Sequence, residues 1–189
     1  STMYGVGLIR TDLASKMALY AAMYVGITLV PVVWLLFVVE YVGRDEWVTE
    51  RRIRGLLVIP AITLGIVATN EPLGFHELFW TDLALDSTGA LVTVTYHYGP
   101  WFRVHSAYSY TLLGVSGYFL LRLALFSERT FRLQAAALIA AVTVPVAGNL
   151  AYLLEMTPQW LDTTSLGIVA STIILAGTVY RYRLLRVVP

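Results

Sequence analysis

The chain has 189 residues, 58% hydrophobic and 13% charged, with a net charge of +1 and a mean hydropathy of +0.70. Soluble domains carry roughly 25% charged residues, so this composition disfavours a water-soluble enzyme and a disordered linker, and its charge offers no polyelectrolyte attraction to nucleic acid. With no cysteine there is no disulfide framework, thiolate nucleophile or thiolate metal site.

Residues 1–16 lack the basic, apolar and cleavage-site order of a signal peptide and read as the tail of an earlier apolar segment. With the basic, apolar run Tyr182–Pro189 at the other end, the sequence is expected to be an excerpt of a longer chain. Five uncharged stretches follow: Met17–Val39, Gly55–Asn70, Val104–Leu121, Leu133–Leu154 and Thr163–Tyr180. A crossing helix needs about 20 residues, and all five are expected to be transmembrane helices. The short second one is extended by Ile53 and the snorkelling stem of Arg54. The expected fold is an all-α integral membrane helix bundle, a single transmembrane domain over residues 1–189, with a short β-hairpin in an external loop.

Gly43-Arg44-Asp45-Glu46 reads as a polar turn, with Trp47 at the interface. The loop Glu71–Arg103 opens with Asn70-Glu71-Pro72, which ends the second helix. Phe75–Trp80 reads as a short interfacial helix. Asp82–Tyr98 reads as a hairpin, with Asp86-Ser87-Thr88-Gly89 as turn and the β-branched run Leu91–Tyr96 as strand. Tyr98-Gly99-Pro100 breaks that strand and leads into the third span. Ser127 is placed to cap the fourth helix.

Arg44, Arg51, Arg52, Arg54, Arg122, Arg129, Arg132, Arg181, Arg183 and Arg186 fall on one side of this arrangement, ten of the thirteen basic residues. Arg10, Lys16 and Arg103 fall on the other, beside Asp12, Glu71, Glu77, Asp82, Asp86, Glu155 and Asp162. By the positive-inside rule the N-terminus is outside and the C-terminus cytoplasmic, in a multi-pass protein of the plasma membrane.

The span centres hold no Asp, Glu, Lys or Arg, whereas a proton pump or ion-coupled carrier keeps such groups at mid-membrane depth. The polar exceptions are Glu40, Gln134 and Asn149. Lys16, the one lysine, lies outside the spans, so a retinal Schiff base is disfavoured. His76, His97 and His105 lie on the external side without ligand spacing, and no metal or cofactor is expected. There is no GxSxG and no Gly-rich nucleotide loop. What remains is aromatic: Phe75, Phe79, Trp80, Tyr96, Tyr98, Trp101, Phe102, Tyr108, Tyr110, Tyr152 and Trp160 all fall at the outer level. Part of this is the usual interfacial belt. A ring-lined vestibule near Glu77, Glu155 and Asp162 suits a small amphipathic or cationic ligand. Ala136/Ala140, Ala137/Ala141 and Gly114/Gly117 offer small faces for close helix contact, and Pro31, Pro60 and Pro145 can each kink a span.

One order of residues is more specific. Pro31-x-x-Trp34-x-x-Phe37-x-x-Glu40-Tyr41 follows Lys16. Pro60, Asn70 and Phe79-Trp80 come next. Tyr98-Gly99-Pro100-Trp101-Phe102-x-x-His105, Tyr108 and Tyr110 follow, then Gln134, Pro145, Asn149 and Asp162-Thr163. Over nearly its whole length the chain resembles the seven-transmembrane sensor region at the N-terminus of histidine kinases, mainly archaeal. The resemblance makes these five helices numbers three to seven, with two more upstream of Ser1. It implies a sensory input domain that detects a small ligand or stimulus, outside or in the bilayer, and relays it through the last helix. The output is a cytoplasmic signalling domain in cis, a kinase, or a response regulator, commonly in a homodimer. Candidate ligand contacts are Trp80, Tyr98, Trp101, His105, Asn149 and Asp162, with Arg181, Arg183 and Arg186 anchoring the output helix. No phosphoacceptor box or ATP lobe is found within the sequence, so catalysis is implied only for a larger protein. Competing readings are a transporter or channel component for an apolar or amphipathic solute, a structural subunit of a membrane assembly, and, last, a membrane enzyme.

Overall fold

A computed structural model describes residues 12–70, 77–86, 93–154, 156 and 163–182. In chain order the elements are α1 (Leu13–Tyr41), a 3-10 turn (Asp45–Trp47), α2 (Glu50–Thr69), β1 (Trp80–Asp86), β2 (Thr93–Tyr98), α3 (Pro100–Phe126), α4 (Arg129–Leu153) and α5 (Thr163–Tyr182). The five helices therefore coincide with the five apolar stretches. Four of them carry a stretch long and apolar enough to cross a membrane, in α4 over Phe131–Ala151. The apolar part described in α5, Gly167–Thr178, is shorter. Most helices run a turn past the uncharged segment at one or both ends, because interfacial residues such as Arg51 and Arg52 still form intrahelical bonds while their charged heads reach water.

The chain divides into two compact units, Ser1–Leu36 with Glu46–Leu112, and Phe37–Asp45 with Leu113–Pro189. In the first, the β-hairpin lies against residues of α1, α2 and α3. Its strands pair antiparallel, Trp80 opposite Tyr98, Thr81 opposite His97, then Ala84 opposite Thr95. Two residues, Asp82 and Leu83, thus face Tyr96 alone. This bulge puts Asp82 in the left-handed region (φ 54°), a conformation short polar side chains tolerate best after glycine. The bulge keeps Leu83 as well as Trp80 on the inner face, where β2 contributes Val94, Tyr96 and Tyr98. Thr95 and His97 alternate outward and are exposed.

The expected helix over Phe75–Trp80 is corrected for its described part. Leu78 and Phe79 form a bend, and Trp80 begins β1. Aromatic and aliphatic residues in that run serve either period, and the bonds that fix the bend come from outside it. Residues 71–76 and the turn 87–92 lie outside the described residues. Lys16, just before the first uncharged stretch, lies in the first turn of α1 and is buried, 3% exposed.

In the second unit α1 ends in a Schellman motif. Gly43 N–H donates to Glu40 O (2.9 Å) and Arg44 N–H to Val39 O (3.0 Å), with Gly43 at φ +73° supplying the left-handed turn. The Tyr41 hydroxyl donates to Gln134 Oε1 on α4 at 2.7 Å, and the Arg44 guanidinium lies 5.4 Å from the Phe119 ring centroid. Gly114 and Gly117, expected to admit a close helix, have nothing described within 4 Å of an added Cβ. The close approach is elsewhere: a Cβ on Gly167 of α5 would meet Pro145 Cα of α4 at 2.7 Å. Among the described residues two helix starts are capped by side chains: the Asp12 carboxylate accepts from Ser15 N–H before α1 (2.8 Å), and the Thr49 hydroxyl accepts from Arg52 N–H before α2 (3.4 Å). Ser127 follows the last residue of α3, its N–H donating to Leu123 O.

Candidate ligand-binding site

The site is built where α2 ends. Asn70, 1% exposed, follows the last residue of α2 with an extended backbone. Its amide acts as a strand would. Oδ1 accepts from Phe79 N–H (2.9 Å) and Trp80 N–H (3.1 Å), and Nδ2 donates to Trp80 O (3.1 Å). These roles fix the orientation of the amide, since the reverse would oppose donors to donors. Buried backbone groups left unpaired cost about 1–3 kcal/mol each, so Asn70 is what lets the bend carry two bulky rings into the interior.

From the other side, Gly99 N–H donates to Phe79 O (2.9 Å) and Trp101 N–H to Leu78 O (3.0 Å). Gly99 is required by space. A Cβ there would collide with Leu78 O, and would lie 2.6 Å from Leu78 C and 2.8 Å from Glu77 O.

Phe79 and Trp80, 0% and 2% exposed, are the centre of a ring cluster. Tyr24 of α1 meets both edge-on, at 4.8 and 5.3 Å between centroids. Phe102 meets Phe79 at 5.7 Å, and Tyr96 meets Trp80 at 6.2 Å. Tyr98 stacks on Phe102 at 3.7 Å and 14°. Such pairs contribute about 0.5–1.5 kcal/mol each beyond area burial. Lys16 lies one turn from Leu13 and Tyr20, on the helix face that packs against this cluster.

Below the rings, α3 meets α2 through a polar seam. The Thr63 hydroxyl, fully buried, donates to Ile59 O (2.8 Å) and accepts from Trp101 Nε1–H (3.0 Å). Its remaining lone pair faces His105 Nδ1 at 3.4 Å, and Ser109 Oγ lies 3.4 Å from Nε2. With its one proton committed to Ile59, the hydroxyl acts only as acceptor toward the ring. That places the imidazole proton of neutral His105 on Nδ1 and leaves Nε2 to accept from Ser109. One turn on, the Tyr108 hydroxyl donates to Leu56 O at 2.6 Å.

Of the six residues expected at a ligand site, Trp80, Tyr98, Trp101 and His105 are brought together here. Asn149 is on α4, half-buried, in the second unit, and Asp162 lies outside the described residues. Of the acids expected nearby, Glu77 is exposed and Glu155 is outside the described residues. His97 is exposed on β2 while His105 is buried in α3. Asn70, Thr63 and Tyr24 were not among the expected contacts. Asn70 reads in sequence as a helix stop and as one landmark of the family order, and Thr63 as one hydroxyl in an apolar run. The one signal available was Pro60, which demands an outside donor for the carbonyl four residues earlier.

The chain matches, over residues 1–189, the family model described as the N-terminal 7TM region of histidine kinase. No curated protein and no solved structure matches it.

Proposed function

The chain belongs to the family of N-terminal seven-transmembrane regions of histidine kinases, a multi-pass membrane region, and on that premise we propose that residues 1–189 act as one sensory input domain. The hairpin and its ring cluster form the stimulus-receiving end, on the outer side of the plasma membrane. The positive-inside count supports that orientation, with the C-terminus and the output inside. The observation that carries the reading is the Asn70 clamp. It ties Phe79 and Trp80 directly to the end of α2, so a displacement of the hairpin pulls on a membrane helix instead of dissipating in a loop. The ligand is a small amphipathic molecule, with Trp80, Tyr98, Trp101 and His105 as its contacts in this unit. A ligand acts by favouring one arrangement of hairpin and helices over another. Through α5 that choice reaches a signalling domain in cis or a response regulator, in a homodimer.

These 189 residues contain no cysteine, which allows a direct test once any cysteine elsewhere in the full-length protein is replaced by serine. Tyr20 and Tyr96, whose rings meet at 6.4 Å, are replaced as Tyr20→Cys and Tyr96→Cys in the full-length protein. A short bis-maleimide then ties α1 to β2. Autophosphorylation in membrane vesicles is expected to become fixed at one level in the tethered protein, while each single variant still responds. Output unchanged by the tether would overturn the reading.

A further inference from the structure

The turn between α3 and α4 carries a charge arrangement that the sensory reading does not use. Arg122 lies one helical turn before the end of α3, and Arg129 and Arg132 lie in the first turn of α4. At 1.5 Å of rise per residue, all three fall within about two turns of the Ser127-Glu128 connection. All are exposed, and the stretch 118–133 sets them against one carboxylate, Glu128. Among the described residues none of the three has a side-chain hydrogen bond, ion pair or ring partner. Three arginines at the turn between α1 and α2 differ: Arg54 pairs with Glu50 at 2.9 Å, Arg52 lies over the Trp47 ring at 5.0 Å, and Arg44 lies over Phe119, which leaves Arg51 there as a single exposed cation instead of a cluster.

The position is also electrostatically unfavourable. Two cations in the first turn of a helix oppose its dipole, and the single carboxylate beside them, Glu128 just before that turn, offsets them only in part. Beside them the surface becomes strongly apolar: Phe126 is 80% exposed and Leu125 64%, with Leu133 at 41% on the far side of the turn. Planar guanidinium groups suit the oxygens of a phosphate, and exposed rings and aliphatic chains suit acyl tails.

We propose that this turn is a docking surface for an anionic phospholipid. The headgroup phosphate lies among Arg122, Arg129 and Arg132, and the acyl chains run along Leu125, Phe126 and Leu133. Charge complementarity favours this occupant over a zwitterionic lipid, because the three guanidinium groups lack protein partners and the helix dipole adds to their positive potential. The proposal needs only that the turn lies at a membrane interface and is independent of the sensory reading.

The test uses the full-length protein in nanodiscs of phosphatidylcholine with phosphatidylglycerol, followed by native mass spectrometry of the lipids retained. The wild type is expected to retain phosphatidylglycerol preferentially. The preference should fall about five-fold per arginine removed in the series Arg122→Gln, Arg129→Gln, Arg132→Gln. The paired variant Arg51→Gln with Arg52→Gln serves as control and is expected to keep the preference, and both variants are checked for an unchanged thermal midpoint. Equal retention of the two lipids by the wild type would overturn the proposal. So would a preference that survives the triple substitution or falls equally in the control. Displacement of the lipid by millimolar inorganic phosphate would show an ion site instead, and would likewise overturn it.

Discussion

The hydroxyl of Tyr108 donates to the carbonyl oxygen of Leu56 at 2.6 Å, the one carbonyl in α2 that Pro60 cannot serve. Proline has no N–H, so the bond from position 60 back to position 56 is missing. Lipid offers no replacement, and an unsatisfied carbonyl there is costly. Tyr108 therefore repairs a defect in one helix from the next, and makes the pairing of α2 with α3 depend on it. Tyr108→Phe is expected to lower stability by about 1 kcal/mol. Against a Pro60→Ala background, where a backbone N–H at that position restores the bond to Leu56 O, the same change should cost much less. Denaturation of all four proteins gives this coupling directly.

Asn70→Ala removes three buried hydrogen bonds at once. A loss on the order of 3 kcal/mol is expected, with hydrogen exchange rising over residues 79–98 before the helices open. Asn70→Asp keeps the acceptor for Phe79 and Trp80 N–H but loses the donor to Trp80 O. Its stability should fall between the two.

Thr63→Val removes the acceptor of Trp101 Nε1–H and the partner of His105 Nδ1 without changing side-chain shape. The expected cost is about 1 kcal/mol, and the indole N–H resonance of Trp101 should shift. Thr63→Ser retains the hydroxyl and should restore that resonance. A normal indole signal in the valine variant would show that the seam does not hold the ring.

Two glycines should respond in opposite directions. Gly99→Ala forces a Cβ onto Leu78 and Glu77 carbonyls, and is expected to destabilise by about 1–3 kcal/mol. Gly114→Ala, in open space within α3, should be neutral or stabilise by up to about 1 kcal/mol through helix propensity. Thermal midpoints of the two variants distinguish them.

Gly167→Val must part α5 from α4 at Pro145, since even a Cβ lies 2.7 Å from Pro145 Cα. We expect a lower midpoint and, on the sensory reading proposed above, altered basal autophosphorylation of the full-length protein. Gly177→Ala, on the same helix with nothing within 4 Å, should leave the output unchanged and should not lower the midpoint.

Much of this molecule was legible from its residues alone, for reasons that can be named. The five helices follow from apolar stretches that bilayer thickness demands, and the hairpin from β-branched alternation. The break at Tyr98-Gly99-Pro100 follows because proline cannot continue the ladder but can open a helix. The grouping of Trp80, Tyr98, Trp101 and His105 was legible because all four fall at one end of the spans. The bend at Leu78-Phe79 was not, since the groups that hold it, the Asn70 amide and the Gly99 and Trp101 N–H groups, lie outside the run they shape.

Composition and the length of the apolar runs determined that this chain is a helical membrane protein, because backbone polar groups in lipid must be satisfied within each segment. Tertiary structure alone decided which face of each helix is turned inward. α1 is apolar almost all round, so its pattern carries no moment. Its buried seam is instead Thr28, Pro31, Val32 and Leu35, while Val25, Ile27, Val30 and Val33 are exposed. Likewise, only the fold could pair Tyr108 with Leu56 and Asn70 with Trp80. Each supplies a hydrogen-bonding group to a backbone that local sequence had left without one.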